Sequence, residues 1–437
     1  MKKTESNRGI TLIALVITVV ILIILATVSI NVVLGEGGLI DRAQQAKDLT
    51  EQAALEEQQG LNSLMSEFTN IMEENQNPPE EKSEVEEAKE SGTPFEDTTT
   101  ITDDLDNPVT VPGGFNIAED SGTKVEEGIV IEDSNNNQFV WILVGEYNVT
   151  EEIEKITEPD TQDGKLTNEL TRRDWPDENV VANPILVNGD DAIAGFAASN
   201  QDEYYYGEGN ENSVAKDQID AFKTSCITNK GFYIGRYEAG TEEERTIETD
   251  PLTKPLVQAN KYPYVWLTRD QAKQQAEAMY SGNEFITSEL ISSYAWDTAL
   301  NFICQTNEEG YLLATTTDSA YGNMNTRTRM QTGEYEADNY SNIHDLLGNC
   351  VEWSTEYSTC TYNGNIMPCV WRGGFYIYNV YTPSYRGFNY NNDSGLETGN
   401  SFRIQLYINP TNLHKNQTRI ARLSNQKQLR NNSVTNL

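Results

Sequence analysis

The segment 375–400 has the composition of a binding surface. It reads FYIYNVYTPSYRGFNYNNDSGLETGN and holds five tyrosines, five asparagines and two serines among its 26 residues. Tyrosine supplies a rigid contact surface at little cost in conformational entropy, and asparagine and serine adapt their hydrogen bonding to a partner. The segment predicts a ligand-binding surface, with an ordinary Asn/Tyr-rich loop as the alternative. The predicted contact residues are Tyr376, Tyr378, Asn379, Tyr381, Tyr385, Asn389, Tyr390 and Asn391.

If these residues bind a ligand, the tyrosine rings should be accessible to solvent. We therefore expect Tyr378, Tyr381, Tyr385 and Tyr390 to be largely exposed at one end of their domain. Binding of this kind needs no cofactor.

Residues that could support catalysis are scarce. The two histidines, His344 and His414, stand 70 positions apart, which rules out a site built on three histidines. No G-x-S-x-G nucleophile elbow and no C-x-x-C pair occurs. Of the five cysteines, Cys360 and Cys369 could form a disulfide across a hairpin in an exterior protein, and buried free thiols are the open alternative. We expect a protein that is not an enzyme.

The charge balance narrows the class of partner. The 437 residues include 68 acidic and 31 basic side chains, for a net charge of −37. Phosphate binding requires a cationic surface, so nucleic acid is excluded as a partner. A strongly negative chain suits a solvated exterior protein that repels its neighbours.

The N-terminal residues have the pattern of a membrane segment. Residues 1–9 carry Lys2, Lys3 and Arg8, and residues 10–33 then contain no charge. In a helix these 24 residues would extend about 36 Å, enough to cross a hydrocarbon core of about 30 Å. The sequence predicts a transmembrane helix with the basic leader in the cytoplasm and the head outside the cell membrane.

The leader also resembles a known processing signal. Gly9 directly precedes a long apolar helix that begins I-T-L-I, and this arrangement resembles the N-terminus of type IV prepilins. The resemblance implies that a prepilin peptidase cleaves between Gly9 and Ile10, and that other pilin-like subunits are partners. Ala14 stands where that family usually has glutamate, which sets this chain apart from ordinary fibre subunits. An uncleaved single-span anchor is the alternative.

The rest of the chain divides by composition. Residues 34–74 predict an amphipathic stalk helix, and residues 75–108 an acidic disordered linker because they offer almost no apolar side chains. Residues 109–408 predict a head with an insertion at about 151–225, and residues 409–437 a basic, disordered tail. Within the head, Thr268 and Gln271 have the spacing of a capping box and predict a helix over 269–280. A second helix is expected over 294–304.

Three ordered motifs in the last third carry a family resemblance. They are SNIHDLLGNCVEW at 341–353, WRGGFYIY at 371–378 and SFRIQLYI at 401–408. Together with earlier segments from residue 231 onward, they resemble the formylglycine-generating enzyme (sulfatase-modifying factor) family. The resemblance implies an α+β, C-type-lectin-like fold. Glu289, Ile291 and Ala295 stand where the family has Arg, Pro and Glu.

The resemblance also bears on activity. Oxidation in that family uses two cysteines, and the matching positions here are Tyr378 and Pro383, so copper-assisted oxidation is not expected. Gly348, Gly373, Gly374, Trp353 and Arg372 are expected to build the fold.

The family also implies a calcium ion on the turn at 345–352. Its matching ligands are Asp345, the carbonyls of Gly348 and Cys350, and Glu352, an oxygen set that suits calcium. Alternatively, Asp345 caps backbone amides.

The segment 375–400 is also similar in placement to the variable region of proteins that are diversified by retroelements. These observations predict a non-catalytic, membrane-anchored or pilin-like surface protein whose lectin-like head binds an unidentified protein or glycan. The alternatives are an enzyme of the same family with unrecognised chemistry, and a structural minor pilin.

Overall fold

The computed structural model divides the chain into two compact units, residues 1–81 and 82–437. It describes residues 12–34, short helical pieces between 42 and 65, and residues 82–410 except 157–163, 171–215, 358–360, 363–364, 379 and 390–398. The leader residues Gly9 and Ile10 and the tail 411–437 lie outside the described residues.

The first unit contains the apolar helix. Helix α1 spans Leu12–Leu34, 23 residues without a charged side chain. Side chains are described without interruption for residues 15–29 of this helix. Among the fully described residues, no helix has both the length and the apolar character needed to cross a membrane. The predicted stalk at 34–74 is described only in short helical pieces.

The second unit begins earlier than the sequence indicates. Residues 82–108, expected to be disordered, form helix α2 (Glu84–Ser91), strand β1 (Thr99–Thr102) and the start of β2 (Pro108–Val111). That part of the linker prediction is wrong, because the acidic side chains have local partners. Ser83 accepts the Glu86 N–H as N-cap, and buried Asp103 accepts the N–H groups of Leu105 and Asn107 at 2.8 and 2.7 Å.

A six-stranded antiparallel sheet forms the centre of this unit, in the order β11-β20-β8-β5-β4-β3. Its last strand in sequence, β20, lies between β8 and β11, so the end of the described chain pairs with the first strand of the family-like region. The strands are β3 Phe115–Ile117, β4 Val130–Asp133, β5 Gln138–Leu143, β8 Gly231–Gly235, β11 Ile286–Leu290 and β20 Ile404–Ile408.

A second sheet has four strands in the order β18-β17-β14-β19, in which β14 and β19 run parallel. Its strands are β14 Val351–Tyr357, β17 Cys369–Arg372, β18 Arg386–Asn389 and β19 Asn400–Phe402. The remaining strands form two-stranded pairs: β1 with β2, β6 Gly145–Asn148 with β7 Lys165–Asn168, β9 Gly240–Thr241 with β10 Tyr262–Pro263, β12 Asn339–Tyr340 with β13 Ile343–His344, and β15 Thr361–Tyr362 with β16 Asn365–Ile366.

The helices of the head begin where the sequence indicates. Thr268 Oγ1 accepts the Gln271 N–H at 3.1 Å and Gln271 Oε1 accepts the Thr268 N–H at 2.9 Å, so the predicted capping box is confirmed. The second predicted helix is fully buried. The helices after α2 are α3 Glu151–Ile156, α4 Lys216–Asn229, α5 Arg269–Met279, α6 Ser293–Gln305 and α7 Leu312–Thr315.

The coarse class of the fold is confirmed as mixed α+β with several antiparallel sheets. One hydrophobic core joins the sheets and helices, with Trp141, Trp296 and Trp353 fully buried. Within the predicted insertion, β7 belongs to this core through Leu166, and α3 packs against the core through the partly buried Ile153. Helix α4 packs beside β8 and β20.

Candidate functional site

The predicted binding segment is held at both ends by the four-stranded sheet. Residues 373–385 connect β17 and β18, which are neighbouring antiparallel strands. Arg372 ends β17, Arg386 begins β18, and the two face each other in register. The first part of the predicted segment 375–400 therefore belongs to a loop, 373–385, whose two ends are fixed side by side.

A buried ionic network fixes those ends to helix α6. Arg372 Nη2 donates to Asp297 Oδ1 at 2.6 Å, and Arg386 donates to the same carboxylate. Arg386 Nε also donates to Glu356 Oε2 at 3.1 Å. Two guanidinium groups and two carboxylates balance in charge, as buried ions require. Burial lowers the pKa of Arg372 to about 10.

Glycines allow the loop to leave the sheet through a narrow space. A Cβ on Gly374 would lie 2.1 Å from the Leu347 carbonyl oxygen, and one on Gly348 would lie 2.6 Å from the Asn323 nitrogen. These approaches, with the full burial of Trp353 and Arg372, agree with the expectation that the R-G-G and G-N motifs build the fold.

Above this base the loop forms a cluster of aromatic rings. Tyr381 is the centre of the cluster, with its ring centroid 4.7 Å from Tyr385, 5.1 Å from Trp371 and 6.0 Å from Tyr378. Phe375 contacts Tyr378 from below at 5.8 Å. Each ring is therefore braced by others, as aromatic side chains prefer at these distances.

The predicted contact residues differ in how far their side chains are exposed to solvent. Tyr378 is 52% exposed and Tyr381 is half-buried. Tyr376 and Tyr385 are buried at 7% and 4%, so the expectation that Tyr385 is exposed is wrong. Its ring lies between Trp371 and Tyr381 because the short link to Arg386 draws it into the base. Asn389 is half-buried, and Asn379, Tyr390 and Asn391 lie outside the described residues.

The structure adds three residues that composition did not single out. Val380 is 61% exposed, and Ile377 and Trp371 are partly exposed beside the tyrosines. A large aliphatic side chain at the tip of an Asn/Tyr-rich loop is the signal that could have indicated them. We call the surface formed by Trp371, Ile377, Tyr378, Val380 and Tyr381 the aromatic face.

In the turn for which the resemblance implies calcium, protein groups already contact both oxygens of Glu352 and one oxygen of Asp345. Glu352 accepts Arg403 Nε at 3.1 Å through one oxygen and Arg403 Nη2 at 2.7 Å through the other. Asp345 accepts the Gly333 N–H at 2.8 Å, which is the capping role given as the alternative. Both carboxylates and Cys350 are buried. Glu352 as arranged does not fit the role of a calcium ligand.

The same region concentrates shifted carboxyl groups. Burial raises the pKa of Asp345 to about 7 and raises that of Glu238 and Asp338 well above the usual range. Glu238 Oε2 and Asp338 Oδ2 have no hydrogen-bond partner. Within the described ranges, no three acidic, histidine or cysteine side chains are placed to hold a metal ion.

The other reactive residue types are also buried. His344 stacks on Tyr237 at 4.8 Å, and burial lowers its pKa to about 4, so its ring is neutral near pH 7. Burial raises the pKa of the Cys226 and Cys350 thiols, which makes them poor nucleophiles. Cys369 is buried, and its predicted partner Cys360 lies outside the described residues.

A cavity of about 430 Å³ lies between α4 and β20. One of its lining residues, Tyr407, donates its hydroxyl to Glu289, a carboxyl group whose pKa is raised by burial to about 7. The acidic lining residue of the cavity is Asp220, and its other polar groups are hydroxyls and an amide. Ser225 Oγ already donates to the Ile408 carbonyl at 2.7 Å. This cavity does not bring together a nucleophile and a base.

Comparison with known proteins adds no relative: no protein-family model matches the chain, and no curated protein matches it significantly.

Proposed function

We propose that this chain is a non-catalytic recognition protein whose head binds a ligand through the aromatic face. The proposal rests on the difference in burial between the ends of the 373–385 loop and its tip. Its ends are fixed by the buried Arg372–Asp297–Arg386 network, while Tyr378 and Val380 are more than half exposed at its tip. A rigid base under exposed tyrosine and aliphatic side chains suits binding, because little order is lost when a partner docks.

The proposal includes the location of the head. The uncharged helix α1 follows a basic leader, and we propose that it anchors the protein in the cell membrane with the head outside. Processing by a prepilin peptidase between Gly9 and Ile10 belongs to the same proposal. Mass spectrometry of the native protein should find Ile10 at the N-terminus, and an intact Met1 would contradict processing.

We also propose that the head has the C-type-lectin-like fold of the formylglycine-generating enzyme family, which the sequence resembles. The motifs fall on β8, β14, β17 and β20 in the order that a lectin-like head requires, and β20 returns to pair with β8. This arrangement supports a C-type-lectin-like head in which the ligand segment lies between β17 and β18.

The placement of titratable groups favours binding over catalysis. Glu238 and Asp338, whose pKa values are raised well above the usual range, are fully buried. Glu289, whose pKa is raised to about 7, does not line the cavity beside α4 and is hydrogen-bonded to Tyr407 and Gln405. An enzyme needs a shifted acid or base that can reach substrate. The proposal therefore calls on neither catalysis nor calcium.

The test uses the full-length protein in detergent micelles, a random-peptide phage library and a glycan array. Changing Tyr378 and Val380 together to serine should abolish the binding selected on the wild type and leave the melting temperature unchanged. The matched control changes the exposed pair Tyr311 and Leu312 to serine, 39% and 49% exposed elsewhere on the head. Equal loss in both variants, or no loss in the first, would refute the aromatic face as the binding surface.

A further inference from the structure

The surroundings of the aromatic face are unusual in charge. The chain has 68 acidic residues in 437, yet 319–333 and 357–392 contain none. At the chain's overall frequency, about two acidic residues would be expected in the first stretch and about six in the second. The second stretch includes the whole aromatic face, and the structure places the first directly beside it.

Backbone hydrogen bonds join the two stretches. Asn325 N–H donates to the Phe375 carbonyl at 3.1 Å, and Arg327 N–H donates to the Tyr376 carbonyl at 2.8 Å. The second of these bonds holds Arg327 beside Tyr376, which lies two positions before Tyr378 in the sequence. The 323–330 loop itself is braced from below by the buried Asn349, whose Oδ1 accepts the Met330 N–H at 3.0 Å.

The two arginines of this loop differ in their environment. Arg329 is mostly buried and pairs with Glu244 at 2.6 Å. Arg327 is exposed, and its backbone has a left-handed φ of 65°, a conformation that side chains other than glycine rarely adopt. A side chain kept in an unfavourable backbone conformation at the rim of a binding surface points to a role for that side chain.

We propose that Arg327 extends the aromatic face into a site for a protein ligand that presents an acidic side chain beside apolar ones. The inference rests on the proposed function of the aromatic face. Arg327 is exposed within one acid-free stretch and beside the other, and the nearby Glu244 is already paired with Arg329. A ligand carboxylate can therefore pair with Arg327, and that charge complementarity sets both association and register. The exposed Val380 and the partly exposed Ile377 are aliphatic and favour apolar side chains of a protein over the hydroxyl-rich surface of a sugar.

The test extends the phage selection on the full-length protein. Peptides selected by the wild type should be enriched several-fold in Asp and Glu over the input library. Arg327→Gly removes the side chain and suits the left-handed backbone, so the fold is retained. This change should weaken a selected acidic peptide about tenfold to a hundredfold, because a hydrogen bond to a charged group is lost. Arg327→Lys should retain part of the binding, and Lys254→Gln, which removes the same single positive charge at another exposed residue, should retain all of it.

The outcomes separate this inference from the proposed function. Selected peptides without acidic residues, or acidic peptides that bind Arg327→Gly as well as the wild type, overturn the role of Arg327. If those peptides still lose binding when Tyr378 and Val380 become serine, the aromatic face stands. Binding of sialylated glycans on the array without any peptide selection overturns the protein ligand in favour of a sugar. Selected peptides that are insensitive to Tyr378 and Val380 overturn both.

Discussion

Glu289 offers a quantitative test of the buried electrostatics of the head. It lies on β11 and is 7% exposed. Its two oxygens accept the Tyr407 hydroxyl at 3.1 Å and the Gln405 amide at 3.3 Å, and burial raises its pKa to about 7. Glu289→Gln keeps the shape and removes the ionisation. The new amide can accept from Gln405 and donate to Tyr407, whose hydroxyl can do either.

The size of the expected effect on stability follows from the pKa shift of Glu289. The unfolded side chain titrates near its ordinary pKa of 4.5, so between pH 4.5 and about 7 the folded state holds a proton that the unfolded state has lost. The free energy of unfolding of the wild type therefore falls as pH rises through this window and is constant above it. A shift from 4.5 to about 7 corresponds to about 3 kcal/mol, and Glu289→Gln should regain that amount at pH 8.

The assay is urea unfolding of wild type and variant at pH 4, 6 and 8. The difference in free energy of unfolding should be near zero at pH 4, intermediate at pH 6 and about 3 kcal/mol in favour of the variant at pH 8. Glu119→Gln, which changes an exposed carboxyl, is the matched control and should show no such trend. A variant that is equally destabilised at all three pH values would refute the reasoning, since it would show that Glu289 is needed as a hydrogen-bonding group and not penalised as a charge.

Three further predictions concern the base of the site. Tyr385→Ala should lower the free energy of unfolding by about 3–5 kcal/mol because a buried ring is lost, while Tyr378→Ala should stay within about 0.5 kcal/mol; equal effects in urea unfolding would contradict this difference in burial. Arg403→Met should lower the free energy of unfolding by about 3–5 kcal/mol because it leaves the buried Glu352 carboxylate without its partner. A chelator should leave the melting temperature of the wild type unchanged, and a drop of several degrees would show that calcium binds this turn. Gly374→Ala should prevent folding, as judged by circular dichroism, because its Cβ would overlap the Leu347 carbonyl; an unchanged melt would disprove that contact.

Local signals predicted the head well where a single side chain decides the geometry. The capping box at Thr268 and the burial of Trp353 were both readable from residue type and spacing. The N-terminal boundary of the head was not predicted correctly. Residues 82–108 were assigned to a linker by composition, yet Val85 is fully buried and Asp103 closes a turn. Composition counts an acidic residue as solvated, and only the tertiary structure shows that it accepts backbone amides.

The segment proposed to bind a ligand was singled out by its composition, but composition cannot order its residues by depth. Tyr376, Tyr378 and Tyr385 are equivalent by type, and their exposure differs because the paired strands draw Tyr385 into the sheet while Tyr378 remains at the tip. Val380 was missed for the same reason, since an aliphatic residue in a loop is usually assigned to the core.

Because the base of the 373–385 loop is fixed and its tip is exposed, this head could change its proposed ligand without losing its fold. The ionic pairs of Asp297 and the ring of Tyr385 carry the stability of the loop, and none of them reaches the surface. Substitutions at Tyr378 or Val380 should therefore alter binding at little cost in stability, because exposed positions contribute little to folding. Such a surface can accept many side chains without endangering the fold. The proposed likeness to diversified variable regions requires this property, and within that proposal the acid-free stretch that carries Arg327 supplies a constant charged contact beside a changeable apolar one.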